Sequence, residues 1–366
     1  MRVLKRPDLE DILYGCAILG TGGGGELDEG FELIDEALAQ GKEFVLADPS
    51  EIPDEAMICT PYMLGAISEL PAGEEDKYAR LPTGEVRPIL AAYQRMEAYK
   101  GTKFSGTVAC ELGGSNTAMA FYVAAMTGGY IVDGDPAGRA VPEITHSTYY
   151  LNDLPAAPIV TANAFGECMV IENVIDDLRA EEIVRALSMA SGNDIAAVDH
   201  ALCMQELRGA LIGGTITKAL ELGRTWRVTK ADGGDIAANI AAQGSGEVVF
   251  RGAISTCDWK TAEGFTLGNI SISGEGDYAG SDYAIWLKNE NMIGWRNGEV
   301  HATIPDLICL LDMETGEPVT NPNYRVGQQV AVVVLPAPNA FLSEKGLEIF
   351  GPKYLGYSFE YRSALV

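Results

Sequence analysis

Three carboxylates and one guanidinium cluster in the stretch Asp133-Gly134-Asp135-Pro136-Ala137-Gly138-Arg139-Ala140-Val141-Pro142-Glu143. The apolar run Tyr130-Ile131-Val132 before it reads as a buried strand, and the Gly and Pro residues after it end that strand in a turned loop. Charges leaving a strand end together are where open α/β sheets place their ligands. Asp133 or Asp135 has the chemistry of a general base, Arg139 that of an anion stabiliser, and Glu143 adds a third carboxylate. The alternative is a self-satisfied loop in which Arg139 pairs with Asp133 or Asp135. Asp-x-Asp clusters also bind hard cations, so a divalent metal held by Asp133, Asp135 and His146 is compatible with the residue types. No other cofactor is called for.

Three further groups could share such a site. In Glu111-Leu112-Gly113-Gly114-Ser115-Asn116 a carboxylate precedes two glycines and a helix start, with Ser115 as a candidate N-cap. This arrangement brings Glu111 and the Gly113 and Gly114 amides toward the same edge as Asp133, although Glu111 could also merely cap its own loop. Gly20-Thr21-Gly22-Gly23-Gly24-Gly25 matches Gly-x-Gly-x-x-Gly, and Asp48 stands where a ribose-binding acid would. A dinucleotide fingerprint must follow a strand, and the run before Gly20 is helical, so nucleotide binding is disfavoured. Thr21, Gly22, Gly23 and Gly24 remain candidates for turning backbone N–H groups toward a substrate, beside the plainer reading of a tight glycine connection. Asn289-Glu290-Asn291 interrupts an apolar run and suggests a second pocket wall, an interface network or a hairpin edge.

The elements that must position these groups follow from periodicity. Leu9, Ile12, Leu13, Cys16 and Ala17 predict a helix running into the glycine loop, and Leu27, Phe31, Ile34 and Leu38 predict another after it. Strands are predicted at 57–60, 104–110, 130–132, 169–172 and 194–198, and helices at 85–99, 117–126, 181–190, 208–222 and 236–241. Residues 71–83 read as an exposed excursion. The β-α-β-α alternation argues for an α/β fold with a mostly parallel sheet flanked by helices. From about Gly246 short β-type runs take over (248–250, 265–272, 283–287, 300–304, 330–335, 347–350), with an Asn297-Gly298 type I′ hairpin. They predict a smaller all-β domain, a sandwich or small barrel. The resulting division is 1–165, an α/β stretch 166–245 assigned to neither part, and 246–366.

The motifs together identify more than a fold. Asp-x-Asp-x-x-Gly-Arg-Ala-x-Pro-Glu at 133–143, the glycine run 20–25 and Glu111–Asn116 resemble the S-methyl-thiohydantoin desulfurase-like family. The resemblance continues in Asn289-Glu290-Asn291, Ile304-Pro305-Asp306-Leu307-Ile308 and Gly351-Pro352-Lys353-Tyr354-Leu355-Gly356-Tyr357. It implies a hydrolase that removes methanethiol from a substituted S-methyl-thiohydantoin, leaving a hydantoin. Water must attack the carbon between two ring nitrogens while negative charge develops on the ring. On that implication Asp133 or Asp135 serves as base, and Glu111 handles the proton of the leaving group or ring nitrogen. Arg139 with the Gly22–Gly25 and Gly113–Gly114 amides holds the anion, and Ser115, Asn116, Asn289 and Glu290 contact substrate. The alternative is a non-catalytic ligand-binding or accessory subunit of a hydantoin-degrading complex.

Composition narrows the partners. With 52 acidic and 26 basic residues the formal charge is −26 over 366 residues, which repels phosphate backbones and anionic membranes. Seven scattered cysteines without Cys-x-x-Cys pairs suit a reducing cytosol. The three histidines have no His-x-x-x-His spacing, Ser115 lacks a nucleophile elbow, and Cys110 beside Glu111 lacks the basic neighbour a thiolate needs. No membrane span or signal segment is legible. The expectation is a cytoplasmic homo-oligomer acting on a small molecule.

Overall fold

Alternation of side chains decides the two faces of the N-terminal sheet. Phe44, Leu46, Cys59 and Ile131 join one apolar core, while their chain neighbours Ala47, Ile58 and Val132 join another on the opposite side. The computed structural model describes residues 1–66 and 75–365. Its eight-stranded sheet runs in the order Arg2–Leu4, Phe44–Ala47, Tyr130–Val132, Gly106–Thr107, Met57–Gly65, Asp194–Cys203, Ile159–Ala162, Cys168–Ile171. The central pairings, from Phe44–Ala47 across to Met57–Gly65, are parallel, and those on either side are antiparallel. Helices Arg6–Leu19, Leu27–Ala39, Pro88–Lys100 and Gly114–Thr127 pack on the first face. The expected α/β part is present, and strands Cys168–Ile171 and Asp194–Cys203 of the stretch after residue 166 join its sheet.

The C-terminal part is one seven-stranded antiparallel sheet. Its order is Glu299–Thr303, Glu290–Arg296, Asp282–Lys288, Phe265–Gly274, Glu247–Ala262, Gln329–Leu335, Leu307–Asp312. Val330, Val332 and Val334 face its own core, whereas Ala331, Val333 and Leu335 turn toward the helices and merge with the N-terminal core. Helices Arg6–Leu19, Thr215–Ala231 and Ile236–Gln243 form the shared layer between the two sheets. Asn297 and Gly298 both have positive φ (52° and 82°) between the paired residues Arg296 and Glu299, the two-residue turn expected there.

Four local expectations are corrected. Residues 347–350 are not a strand but belong mainly to the helix Glu344–Ile349, which Ser343 caps by accepting the Gly346 N–H at 3.1 Å. The 208–222 helix begins only at Thr215: Gly214 takes φ +76°, and Ile212–Gly213 instead pairs with Gly134–Asp135. The helix after Glu111 starts at Gly114 with Gly113 as its cap, so Ser115 lies inside it. Of the 71–83 excursion, residues 71–74 lie outside the described residues, and Glu75–Tyr78 forms one helical turn.

Candidate functional site

A cavity of about 260 Å³ lies where segments of both sheets meet, near the lower end of the sizes that small-molecule sites show. Strand Met57–Gly65 gives it Thr60 and Tyr62, and the neighbouring strand gives Asp199 and His200. Glu111, Ser115 and Asn116 enter at the start of helix Gly114–Thr127. The reversal between strands Asp282–Lys288 and Glu290–Arg296 supplies Asn289 and Glu290, and Gly24 and Gly25 close the wall between these groups. The glycine loop is there because nothing larger fits. A Cβ on Gly24, whose φ is +77°, would stand 2.5 Å from Gly113 Cα, and one on Gly23 would stand 1.9 Å from Glu290 Oε1.

The loop is not an open nest of donors. The Gly24 carbonyl accepts the Ser115 and Asn116 N–H groups at 3.1 and 3.0 Å, and Gly113 N–H donates to Thr117 Oγ1 at 3.1 Å. Much of the helix start that looked available to an anion is therefore used to dock the glycine loop. Gly22 packs on the Asn321 side chain, and Thr21, at φ +51°, receives Arg139 Nη2 at 2.9 Å.

Glu111 and Glu290 are two of the carboxylates that line the cavity. Glu111 is held at both oxygens, by Asn116 Nδ2 and by the Val141 N–H, each at 2.7 Å. Burial pushes its pKa up to about 7 against those bonds, with the Asp135 charge adding to the rise and Arg139 opposing it. Glu290 is 2 % exposed and its Oε2 has no hydrogen-bond partner. Burial, then the Glu111 charge, hold it well above the usual carboxylate range. Both carboxyls are thus held above the usual carboxylate range, which favours their protonated forms.

The acidic loop is built differently. Arg139, fully buried, pairs with neither Asp133 nor Asp135; it donates to the Ala140, Pro305 and Asp306 carbonyls and to Thr21, at 2.9–3.0 Å. Burial lowers its pKa to about 10, against the nearby Glu290, Cys309, Asp306 and Glu111. Asp135 Oδ2 accepts the Ala137 and Gly138 N–H groups of its own turn, at 2.9 and 2.7 Å. Burial raises Asp135 to about 6. Asp133 accepts the Thr217 N–H at 3.0 Å and its hydroxyl at 2.5 Å, capping helix Thr215–Ala231 from outside. Asp133, Asp135 and Arg139 thus stand behind the cavity wall, and only Glu143 of the loop's charges lines it.

Burial works against an ionised Glu143, yet it is drawn down to about 2 by His146, Lys288 and the Tyr354 hydroxyl. His146 is itself lowered to about 4 by burial, so near neutrality Lys288 and Tyr354 do the holding. The His146 ring sits 4.6 Å from both Phe350 and Tyr354. Asp133, Asp135 and His146 serve separate partners, and no group of three His, Cys, Asp or Glu side chains suited to a metal ion occurs among the described residues.

Family models cover nearly the whole chain: that of the S-Me-THD-like N-terminal domain matches residues 7–173, and that of the C-terminal domain matches 175–364. The chain belongs to the S-Me-THD-like family. No curated protein matches it. A crystal structure of a protein from Chromobacterium violaceum, a structural-genomics target, aligns over 99 % of both chains with a TM-score of 0.76 and 24 % identity, a likeness of fold.

The S-Me-THD-like cavity also holds residues that spacing did not reveal. Arg185, on helix Asp177–Ala190, pairs with Glu181 at 2.6 Å and donates to the Pro142 carbonyl at 2.9 Å, bracing one side. Cys110 is half-buried and lines the space rather than sitting in the core, and burial with the charges of Glu111, Asp199 and Asp135 keeps it a thiol. Asp199 and His200 interrupt the apolar strand Asp194–Cys203, a polar break like that at Asn289–Asn291 and the only signal of them in the sequence. All seven cysteines are free; Cys16, Cys59 and Cys309 are buried and Cys168 is exposed. Among the described residues no helix is long and apolar enough to cross a membrane.

Proposed function

We propose that this S-Me-THD-like protein is a hydrolase of a small hydantoin-like heterocycle and that its reaction is release of methanethiol from S-methyl-thiohydantoins. One observation carries the reading: Glu111 and Glu290 line one cavity, Glu290 Oε2 is buried there without a partner, and burial holds both carboxyls above the usual carboxylate range. Attack of water on the ring carbon that bears sulfur moves an electron pair onto a ring nitrogen. A carboxylic acid poised beside that nitrogen supplies its proton. The departing sulfur also needs a proton, and collapse of the tetrahedral adduct returns one from the new hydroxyl group to the carboxylate pair. Water, thioether, hydantoin and thiol then balance.

Arg139 supports this from behind the wall. Its charge falls on both carboxylates without touching the ligand space, which keeps a second ionisation within reach during turnover. Asn289 fixes the reversal that presents Glu290, accepting the Thr266 N–H at 2.9 Å. The test is thiol release from S-methyl-thiohydantoins carrying different amino-acid side chains, with and without chelator. Thiol appearing with the wild type and lost on Glu290→Gln supports the reading. A panel without release rejects it in favour of other hydantoin-type rings or an accessory role.

A further inference from the structure

Water attack needs a base, and the carboxylates of the acidic loop that were expected to provide it do not line the cavity. Strand Asp194–Cys203 carries a feature that does. Ile58 pairs with Leu202 and Thr60 with Asp199, so the single residue Cys59 faces two, His200 and Ala201. This is a β-bulge, a device that re-aims a side chain. His200 takes φ +40° in it, a left-handed backbone that side chains adopt at a cost and that concentrates at functional sites.

The bulge yields a built arrangement. His200 Nδ1 lies 2.7 Å from Asp199 Oδ1, and the Tyr62 hydroxyl donates to Asp199 Oδ2 at 2.8 Å. The imidazole packs against Tyr149, ring centroids 4.1 Å apart, and the Tyr149 hydroxyl is within 3.2 Å of Thr60 Oγ1. His200 is 3 % exposed and lines the cavity, yet its Nε2 has no partner. A buried ring nitrogen without a partner is rare in folded proteins. An aspartate on Nδ1–H fixes the tautomer that leaves the Nε2 lone pair free.

We infer that Asp199 and His200 form a catalytic dyad in which His200 Nε2 takes the proton of the attacking water and Asp199 positions the ring. The inference rests on the hydrolase reading and supplies its base. Water gives one proton to Nε2 as its oxygen bonds to the ring carbon; when the carbon–sulfur bond breaks, the imidazolium returns that proton to the methanethiolate. The ring nitrogen takes its proton from the Glu111–Glu290 pair, and the proton of the new hydroxyl group refills the pair as the adduct collapses to the carbonyl. His200 and the pair end as they began.

The chain has only three histidines, so ¹⁵N-histidine labelling of the whole protein resolves the dyad. The wild type is expected to show His200 as the Nδ1–H tautomer, and titration with a 5-substituted hydantoin is expected to move the His200 Nε2 resonance while leaving His301 in place. His200→Gln is expected to lower kcat for thiol release by on the order of 10²–10⁴-fold. Asp199→Asn is expected to change the tautomer signature and to lower kcat with it, a result that a purely structural aspartate would not give. An Nε2 resonance indifferent to hydantoin overturns the dyad, and so does a folded His200→Gln protein with wild-type kcat. Absence of thiol release from the wild type removes the proposed reaction alone, because the Nε2 response to hydantoin is read without turnover.

Discussion

The acidic loop 133–143 and the cavity wall made by Glu111, Glu290 and His200 carry the same kinds of residue, and they differ in what folding leaves unspent. In the loop, one oxygen of Asp135 is held by its own turn, Asp133 by the start of helix Thr215–Ala231, and Arg139 by carbonyls of the C-terminal part. Asp135 Oδ1 is also buried without a partner, but behind the wall; Glu290 Oε2 and His200 Nε2 are buried without a partner on residues that line the cavity. A motif dense in charges marks where the chain invests electrostatic energy in structure as readily as where it does chemistry. Unsatisfied atoms facing a cavity separate the two.

The comparison breaks most sharply at Glu290. Glu290→Gln keeps shape and the close fit to Gly23 but removes the exchangeable proton. Turnover is expected to fall by on the order of 10²–10⁴-fold in a thiol-release assay, while thermal stability at neutral pH is not lowered, because the charged form is the one burial penalises. Wild-type turnover in this variant would place the wall with the loop, as structure.

Arg139→Met tests the opposite side. The loss strands the Ala140, Pro305 and Asp306 carbonyls and leaves two wall carboxylates without their cation. The expected cost is about 3–5 kcal/mol of stability by denaturant titration. A variant as stable as the wild type would show that the guanidinium is not what joins the two parts. Asp133→Ala should do less: about 0.5–2 kcal/mol for a lost helix cap, with kcat for thiol release unchanged. A large drop in kcat at preserved stability would return Asp133 to the chemistry.

The same contrast explains what the sequence made legible. Both parts of the fold could be read because strand alternation, helical spacing and the Asn297-Gly298 turn are local signals. The wall residues Glu111, Asn116, Asn289 and Glu290 could be read too, because polar groups beside glycines or inside apolar runs stand out. The tasks of Asp133 and Arg139 could not, since their partners Thr217, Pro305 and Asp306 are far along the chain; Asp135 bonds to Ala137 and Gly138 of its own turn, and only the packing around that turn takes it out of the cavity. Asp199–His200 left the same kind of polar break in an apolar run, but the bulge that aims His200 is a mismatch between two strands, and neither strand alone records it.

The smallest effect concerns Asp135 and asks whether a spent carboxylate still leaves a trace in solution. Its pKa is about 6 in the folded chain against an ordinary value of 3.8, with burial as the main cause. A carboxyl raised by folding binds its proton more tightly in the native state. Its contribution to stability is therefore complete below about pH 4 and is lost as pH rises through 6. Glu111, raised to about 7, acts in the same direction over a window reaching higher, whereas Glu143, lowered to about 2, favours the fold above its ordinary value and withdraws that support only in acid. His146, lowered to about 4 from 6.5, works the other way but offsets only one of the two raised acids, so the unfolding midpoint should fall between pH 5 and 8. Asp135→Asn keeps an acceptor for Ala137 and Gly138 and cannot ionise, so it should flatten that fall by on the order of 1 kcal/mol and leave kcat alone. A wild-type profile already flat from pH 5 to 8 would mean that Asp135 ionises at little cost. The loop would then owe its form to its turn hydrogen bonds and not to the protonation of its buried acid.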